Sequence, residues 1–81
     1  MKQNINKIIN LSLDITDQTN YDAFVRYSGH VHNLHIDICE KNDATFDVKY
    51  SESVNLTKPN VSDILLRIIE DLKSFLLKNK I

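Results

Sequence analysis

The sequence is short of the residues that punctuate and staple small proteins. It has one glycine, one proline, one cysteine and no tryptophan. A lone Cys39 excludes an intrachain disulfide, and a secreted domain of 81 residues would ordinarily carry several. A reducing, cytosolic setting and a soluble chain are therefore expected. With Gly29 as the only glycine, there is no glycine-rich phosphate loop and no nucleophile elbow. No apolar run approaches the roughly 20 residues of a membrane span. The opening MKQN leads only into short apolar pairs, so no signal-peptide core is present. Charge of one sign is also scarce. Ten Lys and Arg against 11 Asp and Glu leave a net charge of -1, which argues against a general basic face for nucleic acid. A chain this short buries only about 60 to 65% of its unfolded surface, enough for one core and a surface site.

What is present is alternation. In LHIDICEKNDATFDVKY, Leu34, Ile36 and Ile38 alternate with His35, Asp37 and Cys39. Phe46, Val48 and Tyr50 alternate with Thr45, Asp47 and Lys49. Period-2 patterning predicts two strands with one buried face. A loop at 41 to 43 keeps both apolar sets on that face, pairing Ile38 with Phe46, Ile36 with Val48 and Leu34 with Tyr50. Upstream, Tyr21, Ala23, Val25 and Tyr27 alternate, with Phe24 on the opposite face. A turn at 29 to 32 brings Tyr27 opposite Leu34 and Val25 opposite Ile36, with Gly29 supplying a positive φ. The stretch from 9 to 15 fits two periods. Ile9, Leu11, Leu13 and Ile15 alternate as a strand, while Ile5, Ile8 and Ile9 sit at helical spacing. The strand is preferred because a helix would spread its apolar residues over more than half its circumference.

After a loop from Ser51 to Pro59, Val61, Ile64, Leu65, Ile68, Ile69, Leu72, Phe75 and Leu76 form one helical stripe. Asn60 is placed to cap this helix, with Asp63 in its first turn. Asp63, Arg67 and Asp71 fall at i,i+4 spacing on the wet face. The predicted class is α+β in a single domain over residues 1–81, with 1–7 frayed, 8–54 as antiparallel sheet and 60–79 as helix. The meander has four strands, or three with an N-terminal helix, and packs on the C-terminal amphipathic helix. The predicted core comprises Leu11, Leu13, Val25, Leu34, Ile36, Ile38, Phe46, Val48, Ile68 and Leu72.

Three groups of side chains invite a functional reading. His30, His32, His35 and Cys39 carry metal-ligand chemistry, but the spacing matches no zinc motif. His35 and Cys39 are about 13 Å apart along a strand, too far for one metal or one catalytic hydrogen bond. Loop polarity is the plainer account, and neither a metal nor a cofactor is expected. Leu66 and Leu77 flank the main helical stripe, suiting packing on the core or the N-terminal segment, or a homodimer contact. The outer face of the four-stranded register gathers Asp14, Asp22, Asp37 and Asp47 around Phe24. This reads as a solvated face, or as an acidic patch with an aromatic anchor that docks a basic protein surface.

The opening MKQNINKIIN, the meander LHIDICEKNDATFDVKYSES and the terminal amphipathic helix together resemble small phage-encoded anti-defence proteins, in particular anti-CRISPR proteins that inhibit Cas9. Abundant Ile, Asn and Lys, whose codons are A/T-rich, agree with a mobile element. The resemblance implies an N-terminal helix and three strands where the register gives four. It also implies a non-catalytic inhibitor that occupies a nucleic-acid-binding surface of its target. The expectation is thus a binding protein rather than an enzyme. Its partner is a protein with a basic surface, such as a host nucleic-acid-binding defence enzyme. No membrane partner is expected. The α-β-β-β-α version also resembles double-stranded RNA-binding domains, but the stretch Pro59-Asn60-Val61-Ser62-Asp63 lacks the Lys-rich helix start that grips phosphates. A small metal-binding protein using the histidines is the remaining alternative.

Overall fold

A computed structural model describes residues 1–41 and 47–81. The chain is α+β, in the order α1 (Lys2–Gln18), β1 (Tyr21–Ser28), a single 3-10 turn (Gly29–Val31), β2 (Asn33–Glu40), β3 (Val48–Asn55) and α2 (Val61–Asn79). The strands form an antiparallel sheet in the order β1-β2-β3. The N-terminal stretch is therefore a helix, not a strand, and the sheet has three strands among the described residues. The reason lies at position 12. Ile8, Ser12 and Ile15 form the buried stripe of α1. The hydroxyl of Ser12 donates to the Ile8 carbonyl at 2.8 Å, so a polar residue sits in the core with its donor satisfied. Ile9 and Leu13, half of the apparent alternation, are exposed.

The β1–β2 register agrees with the sequence expectation: Tyr27 faces Leu34 and Val25 faces Ile36. The turn is built differently. Gly29 has no positive φ, and His32 takes the left-handed conformation at φ 50° and ψ 44°. The β2–β3 register corrects the expected one. Ile38 pairs with Tyr50, Ile36 with Glu52 and Leu34 with Val54. The shift is by an even number of residues, so the inward parity survives it. An irregularity beside Ile38 and Cys39 sets Val48 opposite Cys39, on the outer side, where Val48 is 47% exposed. Phe46 and most of the expected 41–43 turn lie outside the described residues.

The core joins Ile8 and Ile15 of α1, Leu34, Ile36 and Ile38 of β2, Val54 of β3, and Leu65, Ile68, Ile69 and Leu72 of α2. Both helices therefore cover the same face of the sheet. They lie side by side, α1 also against β1 and α2 also against β3. They run in the same direction. Leu11 and Asp14 share a hollow with Ile69 and Lys73, and the Ile81 N–H reaches the Gln18 carbonyl at the far end. Of the other expected core residues, Leu11 and Val25 are half-buried and Leu13 is 58% exposed. Asn60 is the N-cap residue of α2 but makes no side-chain capping bond. The Asn55 side chain instead accepts from the Thr57 N–H and hydroxyl just before α2.

The end of α1 is closed by several donors. Thr19 bonds the Ile15 carbonyl through its N–H and its hydroxyl. The Lys41 ammonium donates to the carbonyls of Thr16 and Thr19. A cation there also complements the negative end of the helix dipole. No helix among the described residues is long and apolar enough to cross a membrane.

Candidate protein-binding face

Both helices lie on one side of the sheet, and no helix or strand among the described residues covers the other side, where Cys39 is nonetheless buried. Strand alternation delivers the residues of that side in rows. Asp22, Cys39 and Val48 make one row, Phe24, Asp37 and Ser51 the next, then Arg26, His35 and Ser53, then Ser28, Asn33 and Asn55. Asp22, Phe24 and Asp37 are thus on one face in adjacent rows, as the sequence suggests. Asp14 is not among them. It belongs to α1, on the helix side, lining the hollow shared with Ile69 and Lys73. Asp47 precedes β3 and pairs with Lys49 at 3.1 Å, which raises the Lys49 pKa through that hydrogen bond. Pairing Ile38 with Phe46 and Ile36 with Val48 would set Asp37 against Asp47, whereas Asp37 has Ser51 opposite.

That replacement changes the chemistry of the face. The Ser51 hydroxyl donates to one oxygen of Asp37 at 2.7 Å, and the His35 Nε2 lies 2.9 Å from the other. Asp37 is therefore a held carboxylate of fixed orientation, not a repelled one. The serine bonds the carboxylate and not the imidazole, so these three side chains do not form a nucleophile–base pair. Next along, the Ser53 hydroxyl lies 3.0 Å from the Asn33 amide nitrogen. The sequence pattern places His35 on this surface but not Asn33, Ser51 or Ser53, because Ser51-Glu52-Ser53 reads as loop by composition. Only the inward Val54, two positions further on, signals a strand.

Phe24 stands among these polar groups with half of its surface exposed. His30 lies in the 3-10 turn, His32 directly follows it, and His35 is on β2. Among the described residues no group of three His, Cys, Asp or Glu side chains could hold a metal ion. Leu66 and Leu77 of α2 are 50% and 76% exposed and do not belong to the core cluster.

A second polar cluster lies on the helix side. The Tyr50 hydroxyl donates to Asp71 Oδ2 at 3.1 Å, and Arg67 Nη1 bridges Glu52 and Asp71 at 3.0 Å each. Arg67 thus takes Glu52 where Asp63 was expected, and the Glu52 bond raises its pKa. Burial, and then the bond to Asp71, push the Tyr50 phenol well above its ordinary range. This cluster ties α2 to β3 and accounts for Glu52 on an inward position.

Compared with known proteins, the chain matches no family model, no curated protein and no solved structure.

Proposed function

We propose that this chain is a non-catalytic protein-binding inhibitor or adaptor of phage or mobile-element type. The anti-CRISPR proteins it resembles supply the most specific version, in which it occupies a nucleic-acid-binding surface of its target. The observation that carries the reading is the outer sheet face, where Phe24 is half-exposed beside Asp22 and Asp37. An exposed aromatic on a rigid strand is a natural interface anchor, and the Asp22 and Asp37 carboxylates beside it suit a basic rim on the partner.

The test is capture of a partner from a host lysate with and without nuclease, followed by affinity measurement across a salt series. Phe24→Ala combined with Asp37→Lys is expected to weaken binding by about 30-fold or more. Circular dichroism should show the fold intact. Unchanged binding by the double variant removes the sheet face from consideration and leaves Leu66 and Leu77 as the better contact. A second reading, double-stranded RNA binding, draws on the element order with both helices on one face. Recovery of RNA alone, lost on nuclease treatment, would favour it.

A further inference from the structure

The free edge of β1 carries a pattern complementary to itself. Alternate residues of an antiparallel strand send their backbone groups to opposite sides. The Ala23 N–H donates to the Thr16 hydroxyl and the Tyr21 N–H to the Thr19 hydroxyl, each at 3.0 Å and each away from β2. Tyr21, Ala23, Val25 and Tyr27 therefore present N–H and C=O to the open edge. The Val25 and Tyr27 donors have no partner among the described residues. Beside this edge, Ile9 and Leu13 of α1 line an open groove with Ala23 and Val25, and Leu13 is 58% exposed. On the outer face of the same strand, Asp22 and Arg26 form no ion pair among the described residues. Four residues apart on one strand, at about 13 Å, they cannot reach each other.

We propose that a second copy of this chain docks on that edge, β1 against β1, antiparallel about a two-fold axis at Phe24. Parity selects the alternatives. Edge-facing residues must pair with edge-facing residues, so a two-fold axis must pass through a residue and not between two. An axis at Ala23 sets Asp22 against Phe24 of the second copy. An axis at Val25 sets Arg26 against Phe24 and Asp22 against Ser28. Only the axis at Phe24 puts Asp22 opposite Arg26 of the second copy, and by symmetry does so twice. It also places the two Phe24 rings side by side as a cross-strand aromatic pair. Ala23 then exchanges backbone bonds with Val25 across the axis, and the Thr16 hydroxyl yields its place on the Ala23 N–H to a carbonyl. The Ile9 and Leu13 stripes meet over the joined strands, which removes the exposed apolar groove from water. An isologous contact of this kind closes, so the product is a dimer and not a fibre.

The inference does not rest on the inhibitor reading, because it is tested with the purified chain alone. Sedimentation of the full chain over a concentration series should show a monomer–dimer equilibrium. Asp22→Arg or Arg26→Asp alone should weaken dimerisation by about tenfold or more, since each sets like charges face to face. Asp22→Arg combined with Arg26→Asp should restore it. Independently, Phe24→Cys should cross-link two copies on mild oxidation. A non-hydrogen-bonded pair brings its Cα atoms to about 4.5 Å, within disulfide reach. Ser28→Cys should not cross-link. A wild-type chain that stays monomeric throughout overturns the proposal. So does a charge swap that fails to rescue the single reversals while Phe24→Cys fails to cross-link.

Discussion

Tyr50 sits where a half-buried phenol meets a carboxylate, and its raised pKa has a definite sign for stability. Above the ordinary phenol value of about 10, the unfolded chain releases this proton while the folded chain keeps it. The contribution is therefore complete below pH of about 10 and is lost as pH climbs beyond it. Tyr50→Phe should cost about 1 kcal/mol at pH 7, the worth of one hydrogen bond. It should also flatten the alkaline loss, so that the gap to wild type narrows above pH of about 10. Urea melts at both pH values measure this, and a gap independent of pH would contradict it. Single residues also mark where the sequence was misleading. Gly29 advertises a left-handed turn, yet His32 adopts it, because the 3-10 turn places that conformation at its end. Ser12 interrupts the apolar stripe of α1 and so conceals it, since a hydroxyl bonded to the preceding turn needs no solvent.

At the scale of elements, α1 separates the two readings of residues 9 to 15 by energy. A strand would place Leu13 and Ile15 on one face, and truncating either would cost the same. In the helix, Ile15 is fully buried and Leu13 is 58% exposed. In the monomeric chain, at low protein concentration, Ile15→Ala should cost about 2 to 5 kcal/mol, and Leu13→Ala less than about 1 kcal/mol. Thermal or urea unfolding of the two variants distinguishes the cases. The second helix and the β1–β2 hairpin were legible because each carries an uninterrupted period. The third strand was legible only in its first residues, Val48 to Tyr50, and not in its reach to Asn55 or its register. Its residues Ser51, Glu52 and Ser53 look like loop, and Glu52 tolerates an inward position only because Arg67 of α2 reaches it at 3.0 Å. A partner supplied by a later element leaves no mark on the local pattern. The candidate face inherits that error. Phe24, Asp22 and Asp37 were legible from β1 and β2 alone. The company of Asp37 was not, because it depends on the β3 register.

For the whole molecule, the parallel pair of helices has a consequence in time. The strands meet through short connections between sequence neighbours, whereas α1 and α2 stand at opposite ends of the described chain and touch only across it. Contacts that close long loops lose chain entropy before they return any energy. The hairpin of β1 and β2 should accordingly gather first, with α2 condensing on it, and the docking of α1 on α2 should come late. Ile36→Ala is then expected to slow refolding, giving a φ-value above about 0.5, while Ile8→Ala mainly accelerates unfolding, giving a φ-value below about 0.3. Stopped-flow chevrons of the two variants supply both numbers, and the reverse order would place the helix pair in the nucleus. If α1 is last to dock, it is also first to leave. The lifetime of the folded state is then set at the α1 seam, where Ile8 and Ile15 meet the second helix, and not in the sheet that carries the candidate binding face.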